Sequence, residues 1–155
     1  EEYSKIVQEL VLNYNADYKR IAVMGNSMGG FTASGIFTHN EDIKTLIVFN
    51  GCCGWENFNK NIEVPKSEKL ESIEKRVNAM DPMNNLHLLK DRPILLLHGD
   101  SDIVVPIDSQ RIFYNKLNPL YNCKEKIKFI EYPRLNHFVT TNMMEGSINW
   151  LGRYL

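Results

Sequence analysis

Gly25-Asn26-Ser27-Met28-Gly29-Gly30 is where side-chain type and spacing first suggest chemistry. An apolar run, Arg20 to Met24, precedes it and reads as a strand buried on both faces; Met28 to Thr38 follows, with Phe31 and Ile36 at helical spacing. A serine between glycines on a strand-to-helix turn is the pattern of a nucleophile elbow. Such a turn strains the backbone of its central residue, and side chains two positions away would collide across it, so Gly25 and Gly29 are expected on steric grounds. Ser27 would stand proud of the sheet, with the Met28 N–H beside it at the start of a helix, placed to stabilise an oxyanion. Gly30 and Ala33 would let that helix lie close to the strands. A phosphate-cradling loop fits less well, because the Lys-Ser/Thr ending of a P-loop and the G-x-G-x-x-G spacing are both missing.

A serine hydroxyl is a weak nucleophile until a base takes its proton, so this reading requires a histidine and an acid that orients it, in the chain order Ser, acid, His. Of His39, His87, His98 and His137, only His137 follows every acid at the end of the third predicted strand. Two carboxylates compete for the acid's role, Asp100 and Asp102, both in the loop after that strand, where an open α/β sheet collects its functional groups. Asp108, just past Pro106, reads as a helix N-cap. Trp55 and Phe58, with Cys52 nearby, follow the second strand and are candidates to line an apolar acyl pocket.

Further buried strands are expected at Thr45 to Phe49, Pro93 to Leu97 and Lys126 to Ile130. Helical spacing marks a segment from Tyr3 to about Asn13, then Ser67 to Met80, Ile107 to Leu117 and Thr141 to Tyr154. Alternating buried strands and helices imply a mostly parallel α/β sheet joined by right-handed crossovers and flanked by helices. Residues 1–155 read as a single domain. Gly51 to Leu89 is too long for a simple crossover, and about 54–89 reads as a small lid insertion.

The 155 residues carry 18 Lys+Arg against 19 Asp+Glu, so the chain offers no basic surface for nucleic acid or an anionic membrane. Apolar stretches such as Ile94 to Leu97 last about four residues where a membrane span needs roughly twenty. Three cysteines, two of them adjacent, make no disulfide framework, and they read as small buried apolar residues in a reducing, cytoplasmic protein. No Cys-x-x-Cys or His-x-x-x-His spacing is present, and neither metal nor cofactor is expected. Glu1-Glu2-Tyr3-Ser4 resembles neither a signal peptide nor a natural start.

Leu97-His98-Gly99-Asp100-Ser101-Asp102-Ile103-Val104-Val105-Pro106 resembles the acid loop of the α/β-hydrolases, H-G-x-x-D-x-x-V-P. That resemblance assigns the catalytic acid to Asp102 and leaves Asp100 on a variable position. Asn136-His137-Phe138, Asp81-Pro82 ahead of Arg92-Pro93, and the closing Trp150-Leu-x-x-Tyr-Leu are similar to the prolyl oligopeptidase-like and dienelactone hydrolase-like branches. Ser27 stands where dienelactone hydrolases proper carry a cysteine. By resemblance, the chain is the C-terminal portion of an α/β-hydrolase fold lacking its N-terminal strands and the segment that supplies the second oxyanion donor.

These residues imply a serine acyl hydrolase, a carboxylesterase working through Ser27, His137 and Asp102 with the Met28 N–H in the oxyanion hole. A prolyl oligopeptidase-like peptidase and a non-catalytic binding protein on the same fold are the alternatives. The expected partner is a small ester or peptide-like substrate. The strand before Ser27 would expose an apolar edge, and an N-terminal segment or a partner chain is expected to cover it.

Overall fold

The computed structural model describes residues 2–59 and 68–155. Four strands, β1 (Ala22–Asn26), β2 (Thr45–Phe49), β3 (Ile94–Gly99) and β4 (Ile127–Tyr132), form one sheet in the order β1-β2-β3-β4, and every neighbouring pair is parallel. The helices are α1 (Glu2–Tyr14), α2 (Met28–Thr38), α3 (Trp55–Asn59), α4 (Glu68–Met80), α5 (Asp108–Leu117) and α6 (Thr141–Tyr154), with a 3-10 segment at Pro82–Leu88. Within the long stretch expected to hold a lid lie α3, α4 and that 3-10 segment. Its residues 60–67, including Ser67 at the start of the third expected helix, lie outside the described residues.

The period-two geometry of the central strands explains their unbroken apolar composition, because both faces of the sheet are covered. Leu46, Val48, Ile94 and Leu96 point to the face where α2 and α5 bring Ala33, Phe37, Phe113 and Leu117. Ile47, Phe49, Leu95 and Leu97 point the other way, onto Met143 and Trp150 of α6. Trp150 is anchored as well as buried: its indole N–H donates to Thr45 Oγ1 at 2.8 Å.

The outer strands differ from expectation. Met24 of β1 is 46% exposed, and in β4 Lys128 and Glu131 are exposed and only Ile127 is buried, each strand having one strand neighbour among the described residues. Strands β1, β3 and β4 also run two residues beyond their apolar runs, into Asn26, Gly99 and Tyr132. The ladder continues there through the pairs Asn26 with Phe49 and Gly99 with Tyr132. The apolar runs stop short of the C-terminal edge of the sheet, and backbone pairing does not.

Two local expectations are corrected. Asp108 is the first helical residue of α5 and makes no capping bond; its carboxylate accepts from Arg111 at 3.1 Å. Cys52 and Cys53 are buried free thiols, but Cys123 is exposed, in the turn before β4, where its N–H donates to Asp91.

Candidate active site

All the singled-out groups gather at the C-terminal edge of the sheet, where strand ends open into loops. At the end of β1, Ser27 sits at φ 54°, in the left-handed region that a residue with a Cβ enters at a cost of about 1–3 kcal/mol. Two backbone bonds hold it there: its N–H donates to Phe49 O at 2.9 Å, and its C=O accepts from Gly30 N at 2.9 Å. The glycine pattern around it is sharper than expected. A Cβ on Gly25 would lie 2.1 Å from Gly29 O, and one on Gly30 would lie 2.8 Å from Val48 Cγ1. A Cβ on Gly29 meets nothing within 4 Å, so the steric account fails for that residue. Gly25 must be small because the backbone of residue 29 crosses it, whereas position 29 itself faces open space. Met28 opens α2, where a backbone N–H has no intrahelical acceptor, and its side chain is exposed.

Asp102 and His137 meet at the ends of β3 and β4. The imidazole Nδ1–H donates to Asp102 Oδ2 at 2.7 Å, with the carboxylate fully buried and the ring partly open to solvent. Asp102 Oδ1 accepts from the N–H groups of Val104 and Val105, each at 2.9 Å. Burial alone would raise the Asp102 pKa, but the His137 hydrogen bond and those two N–H groups outweigh it and hold the carboxyl below its ordinary range. Asp100 takes a different part: its Oδ1 accepts from Ser101 Oγ and from Arg134 N, at 2.8 and 2.7 Å, and so ties the acid loop to the turn before His137. Among the described residues no hydrogen bond joins the Ser27 hydroxyl to His137.

The loops are locked together by contacts the sequence did not disclose. Asn136 Oδ1 accepts from Ile103 N at 3.1 Å and from His137 N at 2.8 Å. Gly99 lets this happen, since a Cβ there would stand 2.2 Å from Leu135 O. Asn50, fully buried at φ 43°, follows Phe49, the residue that accepts from Ser27 N. Its Nδ2 donates to Phe138 O at 3.0 Å and its Oδ1 accepts from Gly99 N at 3.1 Å. Its side chain thus joins the end of β3 to the loop after His137, and the backbone just before it holds the serine turn. His98, near the end of β3, places Nε2 2.9 Å from Val105 O and 3.2 Å from Asp102 Oδ2. Burial pushes its pKa down, so it stays neutral and donates from Nε2. Its four-residue separation from Asp102 was the available signal.

Beside Ser27 lies an open groove of about 480 Å³. Phe31 and Thr32 of α2, Trp55 and Phe58 of α3, Val77 of α4, and Val104 and Val105 of the acid loop line it together with Met28. Phe31 and Phe58 meet edge to face, with centroids 5.0 Å apart. Cys52, expected near this pocket, is instead fully buried, its thiol bonded to Gly54. No group of three or more His, Cys, Asp or Glu among the described residues gathers to hold a metal ion.

Known proteins resemble the chain at both the sequence and the fold level. It is 31% identical over 151 residues to the putative esterase YitV of Bacillus subtilis, covering 90% of this chain and 59% of that protein. It is 24% identical over 144 residues to esterase YjfP of Escherichia coli, covering 88% of this chain and 57% of that protein. The chain therefore spans less than two thirds of either curated relative. Among solved structures, a puromycin-hydrolyzing peptidase of Mycobacterium tuberculosis superposes with a TM-score of 0.77 at 23% identity, over 100% of this chain and 25% of the other. TT1662 from Thermus thermophilus superposes with a TM-score of 0.75 at 16% identity, over 98% and 60%. At these identities the structural likeness establishes the fold, that of the α/β-hydrolases. The model of the prolyl oligopeptidase family matches residues 1–151, and the chain belongs to that family.

Proposed function

We propose that the protein is a serine acyl hydrolase, a carboxylesterase, in which Ser27, His137 and Asp102 act as a catalytic triad. The observation that carries this reading is the 2.7 Å hydrogen bond from His137 Nδ1 to a buried carboxylate, at the same sheet edge as a serine held at positive φ. With Nδ1–H committed to Asp102, Nε2 of the neutral ring is the free base. It takes the Ser27 proton as Oγ adds to the ester carbonyl, and the Met28 N–H donates to the oxyanion that forms. The imidazolium then protonates the leaving alcohol, and water, activated by the same nitrogen, releases the acid from the acyl-enzyme. The bond from Ser27 to His137 is expected to close when substrate fills the site, as such bonds tighten in the reacting complex.

An ester is favoured over a peptide because no charged side chain lines the groove among the described residues, and both curated relatives carry esterase names. The peptidase reading rests on the family to which the chain belongs. We further propose a cytoplasmic location and no nucleic-acid or membrane partner; no helix among the described residues is long and apolar enough to cross a membrane. The open edge of β1, with Met24 half exposed, is proposed to pair with an N-terminal segment outside this sequence or with a partner chain.

Intact mass of the full-length protein before and after a fluorophosphonate probe tests the reading. A single adduct that Ser27→Ala abolishes is expected. Labelling that persists in Ser27→Ala, or no adduct on an enzyme that hydrolyses esters, would refute it.

A further inference from the structure

We propose that Trp55 divides one long acyl-binding channel in two and so sets the longest acyl chain the enzyme takes in; this deepens the esterase reading and rests on it. Besides the groove that holds Ser27, a second open groove of about 380 Å³ is lined by Ile73, Arg76 and Met80 of α4. Trp55 and Val77 line both grooves, so their side chains form the wall between them. The indole is wedged in place: a Cβ on Gly35 of α2 would lie 2.6 Å from its Cη2. Its Nε1 is buried and finds no hydrogen-bond partner among the described residues. A buried donor without an acceptor disfavours this placement, so shape and not hydrogen bonding seats the ring.

The occupant follows from the lining. The Ser27 groove contributes aromatic and aliphatic surface without charge, and the second groove continues it with Ile73, Val77 and Met80, its one charged lining side chain among the described residues being Arg76, whose methylene stem is itself apolar. A straight saturated acyl chain matches both. Esterified at Ser27, such a chain runs past Phe31 and Phe58 and stops at the indole, and further methylenes turn out into water and add no burial. Removing the indole joins the grooves and lets those methylenes continue into the second one.

Each methylene buried in the transition state raises kcat/KM by about fourfold. On the full-length protein, with p-nitrophenyl esters from acetate to dodecanoate, kcat/KM of the wild type should climb with chain length and then level off. In Trp55→Ala the maximum should move to longer chains, and the decanoate to butanoate ratio should rise by about fifteenfold, equivalent to roughly two more buried methylenes. Adding Ile73→Trp, which refills the second groove from α4, should return the wild-type profile. Should Trp55→Ala fail to fold, Val77→Ala thins the same wall and must move the maximum in the same direction. An unmoved maximum in the folded variant, or an equal loss across the whole series, overturns the proposal and leaves Trp55 as a support for α2. The esterase reading fails separately, if Ser27→Ala hydrolyses the short esters as fast as the wild type.

Discussion

Replacing Asp102 by asparagine keeps the shape of the acid and exchanges one acceptor oxygen for a donor. Four hydrogen bonds decide which way the new amide turns. The Oδ1 position receives the N–H groups of Val104 and Val105, at 2.9 Å each, and a backbone N–H cannot become an acceptor. The Oδ2 position receives His137 Nδ1–H at 2.7 Å and lies 3.2 Å from His98 Nε2. A histidine can change tautomer, so the amide oxygen will stay on the backbone pair and its NH2 will face His137. The ring must then accept at Nδ1 and carry its proton on Nε2, where it can no longer take one from Ser27. Removing the correct tautomer in this way costs about 10⁴-fold in kcat, or roughly 5 kcal/mol of transition-state stabilisation. Steady-state kinetics of the full-length protein on a p-nitrophenyl ester should show that loss with KM little changed, since the groove is untouched. Asp102→Asn that turns over within tenfold of the wild type would refute the assignment of both Asp102 and the His137 tautomer.

Ser27→Gly should abolish turnover yet raise stability by about 1 kcal/mol in a thermal melt, because glycine tolerates the φ of 54° that Ser27→Ala would leave strained. Gly99→Ala should lower both stability, by about 2 kcal/mol or more in urea unfolding, and kcat, because its Cβ would strike Leu135 O and displace the histidine loop. Arg92 donates to the carbonyl oxygens of Phe37, Asn40 and Ile43, so Arg92→Met should cost about 2–3 kcal/mol, and Arg92→Lys should recover little because an ammonium lacks the planar fork. Burial lowers the His98 pKa below its ordinary 6.5. As pH falls through that value the unfolded chain takes a proton that the folded one refuses, so stability should drop with acid below about 6.5. His98→Gln should flatten that part of the pH-stability curve, and an unchanged slope would show that the acid sensitivity arises elsewhere.

Much of the candidate site is legible in the chain alone. Ser27 stood out because an elbow is local: six consecutive residues, the strand before them and the helix after them specify its backbone. His137 followed from chain order, and α2, α6 and β2 had the bounds their periodicity indicates. What lay between Asp100 and Asp102 was another matter. Residue type and loop position left both open, and only a family resemblance favoured Asp102. In the folded chain the loop turns Asp102 inward onto His137 and leaves Asp100 outside, gripping Arg134 N.

Other features depended wholly on tertiary structure, since their partners lie far apart in sequence. Asn50 reaches Phe138 across 88 residues, and nothing local to an asparagine after an apolar strand announces that. The freedom at Gly29 reverses a steric expectation, whereas the crowding at Gly30, against Val48 and Gly51 of the neighbouring strand and the turn after it, agrees with the expected close approach of α2 to the sheet. Exposure at Met24 came from strand order: an apolar run predicts burial only where sheet neighbours and helices cover it, and β1 stands at one side of the sheet. Local periodicity and chain order therefore determine the elements and single out Ser27 and His137 as candidates. The pairing of Asp102 with His137, the bonds that aim that carboxylate and the grooves beside Ser27 depend on contacts that exist only once the loops at the strand ends have met.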